Sequence, residues 1–191
     1  MVQIGDEMTN PQTGERFVWR ATRASTDGAY CEFDLYLTAD ARVAAPHRHP
    51  AQVEQFTVVT GDFALASPRL TGSFGPGDVA TIPADTPHRW ANTSGEAAHV
   101  VVRVTPALHI EDYFARFCAI ATAGRAASSG LPRSPLELAV LFDAYREEFA
   151  LASRPLHRIA SPVIALLAAL GRRRGLVSGH PGDPVRTQPS R

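Results

Sequence analysis

A chain of 191 residues, 45% of them hydrophobic, is long enough for one packed domain plus a sizeable extension and apolar enough to bury a true core. Nineteen basic side chains, all arginine, balance nineteen acidic ones, so no overall charge draws the molecule toward nucleic acid. The two cysteines, Cys31 and Cys118, form no C-x-x-C pair, which argues against a zinc knuckle or a dithiol redox motif and leaves two small buried apolar side chains.

Residues 1–24 read as an N-terminal arm. Its first part is polar, with turns at Asn10-Pro11 and Thr13-Gly14, and Met1–Asn10 lacks the basic and apolar regions of a signal peptide, so a cytoplasmic setting is expected. Strand signals dominate residues 25–105. Tyr30–Leu37 alternates, with Cys31, Phe33, Leu35 and Leu37 on one face. Val53–Val59 ends at the turn Thr60-Gly61-Asp62 and continues as Phe63–Ala66; a second turn, Gly75-Pro76-Gly77-Asp78, precedes Val79–Ile82; His99–Val104 is a β-branched run. Short strands separated by Gly and Pro turns predict a sandwich or barrel.

At Pro106 the period changes, and residues 106–175 read as about three α-helices. Ile110, Tyr113, Phe114 and Phe117 share one helical face that stops at Gly124. Ser134-Pro135-Leu136-Glu137 forms a capping box, followed by an apolar stripe of Leu138, Leu141, Phe142, Tyr145 and Phe149. A third helix runs from about Pro155 to Leu170, with a kink expected at Ser161-Pro162 and Gly171 as its cap. Val163–Leu170 is apolar nearly all round, which predicts burial between several elements, yet it is far too short to span a bilayer. Residues 176–191 are expected to be a disordered tail.

The chemistry concentrates in the strand region. His47 and His49 lie two apart on an extended segment bracketed by Pro46 and Pro50, so their side chains share a face. Glu54 has the opposite parity, and Pro50-Ala51-Gln52 supplies the bend that brings it to the same side. Phe56 and Val58 then continue inward, while Gln55 and Thr57 point out. His88 comes from a later strand, with Trp90 and Asn92 on its face. Three imidazoles and one carboxylate form a ligand set for Fe(II), Mn(II), Ni(II), Zn(II) or Cu(II) that leaves coordination positions open. His99, His109, His157 and His180 have no such company and are read as isolated polar groups.

These two motifs resemble those of the cupin superfamily. The pattern G-x5-H-x-H-x3-4-E-x6-G is met at His47, His49, Glu54 and Gly61, with Ala41 at the leading glycine. The pattern G-x5-P-x-G-x2-H-x3-N is met at Gly77, Pro83, His88 and Asn92, with Asp85 where glycine is usual. With the segments NPQTGE and GLPRSPLELAVLFDAYREEF, the whole is similar to single-domain bacterial cupins. The resemblance implies a mainly β, double-stranded β-helix (a jelly-roll barrel), often dimeric, with a divalent metal held by His47, His49, Glu54 and His88.

Three functions are compatible with such a site. The leading expectation is a metal-dependent enzyme of the dioxygenase kind, with Glu54 as ligand or catalytic base and Phe56, Val58, Phe63 and Trp90 as the walls of a site for a small hydrophobic or aromatic molecule. The second is a non-redox cyclase or isomerase in which the metal polarises a carbonyl. The third is a non-catalytic ligand-binding module. Tyr30, Tyr36, His99 and Arg103 are further polar candidates. No nucleic-acid or membrane partner is expected, and a homodimer is, through an exposed sheet edge or the apolar helices.

Overall fold

The computed structural model describes residues 1–176; the predicted tail, from residue 177 on, and His180 lie outside the described residues. Eleven strands precede or interleave with three helices: β1 Glu7–Asn10, β2 Glu15–Ala21, β3 Cys31–Leu37, β4 His47–Arg48, β5 Val53–Thr60, β6 Phe63–Ala66, β7 Thr71–Phe74, β8 Val79–Ile82, β9 Arg89–Asn92, β10 Ala98–Thr105, α1 Ile110–Thr122, α2 Pro135–Ala144, β11 Ala150–Leu151 and α3 Arg154–Arg173. One antiparallel sheet runs β1-β2-β3-β10-β5-β8; a second runs β7-β6-β9; β11 pairs with β4.

The alternation expected of β3 and β5 is present, because each has one face on the core. Cys31, Phe33, Leu35 and Leu37 are buried, as are Glu54, Phe56 and Val58. The two sheets meet through aromatic rings: Phe56 of β5 lies 4.9 Å from Phe63 of β6, which stacks on Trp90 of β9 at 5.7 Å. Outward-facing Tyr36 and His99 stack on each other at 4.4 Å, and the Arg103 guanidinium sits 4.4 Å over the Tyr30 ring. These four polar candidates therefore belong to cross-strand pairs on the outer face of the sheet.

The N-terminal arm is a β-hairpin that widens the large sheet. β2 pairs with β3 from Glu15 opposite Leu37 to Trp19 opposite Phe33, which buries Phe17 and Trp19 beside Phe33. The polar residues around it mask this hairpin in the sequence: β1 and the turn are mostly polar, and the apolar run of β2 is only Phe17-Val18-Trp19 between charged residues.

The first helix meets its expectation, and the other two depart from theirs. α1 matches its predicted span and lays Ile110, Tyr113 and Phe117 on the core. At α2, Ser134 Oγ accepts from the Glu137 N–H at 3.4 Å, but the Glu137 carboxylate pairs with Arg125 instead of reaching back, so the box is half made. α2 ends at Ala144, and Phe149 is reached by tight turning past it, with the N–H groups of Glu148 and Phe149 both donating to the Tyr145 carbonyl. α3 passes through Pro162 as one helix and does not stop at Gly171. There, α2 comes so close that a Cβ on residue 171 would lie 2.7 Å from Val140 Cγ2. The cap is Gly175, at φ +78°, where the N–H of Leu176 donates to the Gly171 carbonyl and that of Gly175 to the Arg172 carbonyl.

Only one face of α3 is buried. Ile164, Leu167 and Ala168 pack against Ala139 and Val140 of α2. The opposite face leaves Leu156, Ile159, Val163, Leu166 and Leu170 exposed at alternating spacings of three and four, contrary to the all-round burial expected of this segment. Replacing Gly171 by leucine is predicted to cost about 1–3 kcal/mol of stability, because the added side chain has no room between α2 and α3; a urea titration that leaves the unfolding midpoint unmoved would refute that contact.

Candidate metal centre and its cavity

β4 and the residue preceding β9 are laid side by side: the His47 N–H donates to the His88 carbonyl at 3.1 Å, and the His88 N–H returns to the His47 carbonyl at 2.8 Å. A bend at Pro50 and Ala51 turns the chain into β5, so that Glu54 rises on the same side. His47, His49, Glu54 and His88 each offer a ligand atom, and these atoms lie within 4.8 Å of one another.

Each imidazole is aimed by its other nitrogen. Nδ1 of His47 lies 3.0 Å from the Ala45 carbonyl, Nδ1 of His88 3.0 Å from that of Thr86, and Nδ1 of His49 2.6 Å from that of Glu148. A carbonyl oxygen only accepts, so each Nδ1 carries the hydrogen and each Nε2 presents a lone pair to the centre. There, His47 Nε2 is 3.2 Å from His49 Nε2, and Glu54 Oε2 is 3.3 Å from His49 Nε2 and 3.0 Å from His88 Nε2. Glu54 Oε2 and His88 Nε2 are sealed from solvent without a well-directed hydrogen-bond partner.

Converging lone pairs and a buried carboxylate repel one another unless a positive charge lies between them. Neighbouring donors on a shell about 2.1 Å from a cation stand roughly 3.0–3.4 Å apart, which matches the spacings here. Charge preferences agree. Burial and the adjacent imidazoles hold His47 well below its ordinary pKa, in the neutral form that ligates. Burial opposes ionisation of Glu54, but His49 and His88 outweigh it and keep the carboxyl far below the usual range. His88 differs: burial opposes its charge, but the Glu54 carboxylate overcomes it and raises its pKa, so a cation there would take the place of the His88 proton beside Glu54. The four residues fit a divalent cation.

The departure from the second motif has a local reason. Asp85 sits at φ +59°, the backbone conformation for which glycine is usual, and uses its side chain in compensation. Its carboxylate accepts from Arg48, between His47 and His49, and from Arg154 at the start of α3, while its N–H donates to the His49 carbonyl at 2.7 Å. Asn92 stabilises the turn after β9, its Nδ2 donating to the carbonyls of Thr38 and Glu96.

The centre opens into a cavity of about 450 Å³ between the large sheet and the helices. His47 and Glu54 form part of its wall, with Phe33, Phe56, Trp90 and Val102 from the barrel and Tyr113, Phe114, Phe142, Phe149 and Ile164 from the extension. Phe56 and Trp90 thus line the space as expected. Val58 and Phe63 do not: both are packed into the core beyond it, at 2% and 0% exposure. The helices supply much of what the sequence reading missed. Phe149 lies against the rings of His47 and His49, at 5.1 and 4.7 Å, and stacks on Tyr113 at 3.9 Å. The spacing of β-strand ligands carries no signal for a residue 100 positions downstream.

The family model for the cupin domain matches residues 36–104, the stretch that holds all four ligand residues. This stretch is a cupin domain. Among solved structures the chain is similar to KdgF from Halomonas sp. (17% identity, 55% of this chain and 90% of that one, TM-score 0.46), to a sugar phosphate isomerase from Silicibacter pomeroyi (20% identity, 54% and 67%, TM-score 0.43) and to an RmlC-like cupin from Shewanella frigidimarina (14% identity, 57% and 88%, TM-score 0.46). No curated protein matches the sequence.

One further acid faces the cavity beside the cupin domain. Glu15, first on β2, is 4% exposed and accepts a hydrogen bond from the Thr13 hydroxyl. The alternation Glu15, Phe17, Trp19 placed it inward; the polar look of the arm hid that. Burial pushes its carboxyl up to about 7, against which the Thr13 bond works only in part. The native state then holds this proton more tightly than the unfolded chain does. Its contribution is full below pH 4.5 and fades as pH rises through 7, by roughly 3 kcal/mol in all. Stability curves of the wild type and Glu15→Gln, measured by urea unfolding from pH 4 to 8, should therefore differ in slope across that window; parallel curves would contradict this environment for Glu15.

Proposed function

We propose that the protein is a metal-dependent enzyme of the dioxygenase type acting on a small hydrophobic or aromatic molecule. The observation that carries this reading is that two of the four convergent ligands, His47 and Glu54, form the wall of a largely apolar cavity roofed by helices. A divalent ion held by His47, His49, Glu54 and His88 supplies a Lewis acid and, where the metal is redox-active, one-electron chemistry. The chain's own residues do the rest. Phe56, Trp90 and Phe149 bind and orient an apolar substrate against the His47 side of the centre, and the helical roof keeps water out. Glu54 is the anionic ligand and the carboxylate at that end placed to take a proton from a bound substrate.

The metal decides between this chemistry and a non-redox one. Protein purified without chelator is expected to carry iron or another redox-active ion and to consume O2 with a phenolic substrate; zinc without O2 uptake would assign the site to carbonyl polarisation by a cyclase or isomerase. His88→Ala is expected to lower metal occupancy at least tenfold by elemental analysis of the folded protein. Full occupancy in that variant would remove the ligand set, and no affinity for any divalent ion in the wild type would leave a ligand-binding module.

The same reading includes a homodimer and a cytoplasmic setting, with no nucleic-acid or membrane partner. Cys31 and Cys118 are free and buried, and no helix among the described residues is long and apolar enough to cross a membrane. The exposed stripe Leu156, Ile159, Val163, Leu166 and Leu170 has the three-four spacing by which a helix pairs with a copy of itself. Light scattering should show a dimer for the wild type and a monomer for Leu166→Glu; a monomeric wild type would refute it.

A further inference from the structure

The cavity lining includes a buried carboxyl that the metal chemistry does not use. Glu15 lines it on a strand whose other inward residues are Phe17 and Trp19, among the apolar walls Phe17, Leu35, Phe117 and Leu131. It is not beside the metal centre. Glu15 is in register with Leu37 of β3, whereas Glu54 is in register with Val104 of β10, itself opposite Cys31 of β3. The two carboxylates are thus carried by strands on either side of the β3-β10 pair, at registers that differ by the whole length of β3.

The Glu15 carboxyl is half used. Oε2 accepts from the Thr13 hydroxyl; Oε1 has no hydrogen-bond partner among the described residues, and the residue lines the cavity. A carboxyl in apolar surroundings is costly to bury in either protonation state unless its oxygens are bonded. Its charge reaches Tyr113 and Cys118 on α1, and neither hydrogen-bonds to it. What completes the bonding of Oε1 is the content of the cavity, water or a ligand, and the ligand group that suits it is a donor that is itself uncharged, since an ammonium group would lose its hydration among phenylalanine rings.

We propose that Glu15 is a specificity-determining residue that accepts a hydrogen bond from the hydroxyl of an elongated apolar or aromatic ligand, whose other end reaches toward the His47 and Glu54 side of the cavity. The proposal rests on the reading of this cavity as a small-molecule site. It selects within that class hydroxylated molecules with two separated ends: one held at Glu15 and one delivered to the metal centre.

The test compares 4-ethylphenol with ethylbenzene, which differ by the one hydroxyl, in calorimetric titrations of the full chain with and without chelator. The quantity read is the ratio of the two affinities. Glu15→Leu is expected to reduce the phenol-to-hydrocarbon ratio about tenfold, because the phenol hydroxyl is then left among apolar walls without a partner, while ethylbenzene still binds. Glu15→Gln, which keeps an acceptor and the shape, is expected to reduce it less and serves if the leucine variant does not fold. A change under about threefold in the leucine variant, an undiminished ratio in the glutamine variant where that variant decides, or no binding of either probe to the wild type overturns the proposal. The metal reading fails separately: loss of metal affinity in the wild type leaves this ratio untouched, and a ratio indifferent to Glu15 leaves metal occupancy untouched.

Discussion

Three imidazoles and a carboxylate cannot share a dry point in space without something to hold them there, and much of the local architecture follows from that constraint. The holding is done by backbone carbonyls. Ala45, Thr86 and Glu148 each take the Nδ1 hydrogen of one histidine, which fixes the tautomer and turns every Nε2 inward. Two of those carbonyls lie two residues before the histidine they orient, so they come with the strand geometry. The third comes from the turn between α2 and β11, far along the chain. The like-signed lone pairs that result are tolerable beside a cation and costly without one.

The helical extension is therefore more than a cover on a finished barrel. β11 adds a two-residue ladder to β4, placing Leu151 opposite His47 and Ala150 opposite Arg48. Arg48 Nε donates to the Leu151 carbonyl at 3.1 Å, and Asp85 bonds both Arg48 and Arg154, so one acidic side chain joins a ligand-bearing strand to the start of α3. Phe149 then fills the space over two of the histidine rings. An aspartate in a left-handed turn is tolerated where its side chain is used in this way, which gives the departure from the glycine pattern a physical reason.

The parts of this structure that obey a period were legible in the sequence. β3 and β5 alternate, α1 keeps its helical stripe, and the proline-bracketed histidines and Glu54 converge as parity and a bend required. What was not legible depends on partners distant in sequence. β2 looks like a polar arm because its solvent face is charged, and only its pairing with β3 shows that Glu15 turns inward. Val58 and Phe63 have the right parity for a wall but lie too deep, since the cavity is bounded by helices whose position no strand pattern encodes. Gly171 looked like a stop signal, yet it is a contact point between two helices; α3 runs on to Arg173, and Gly175 supplies the positive φ that ends it.

The carbonyl of Glu148 ties together two events that would otherwise be independent. His49 presents its Nε2 correctly only while the turn before β11 is docked, and that turn docks best when His49 is held in one orientation. By reciprocity, whatever free energy a cation gains from an ordered His49 is returned as resistance of the extension to local opening. A cation at the centre would therefore favour the docked turn, and the docked turn would favour the cation.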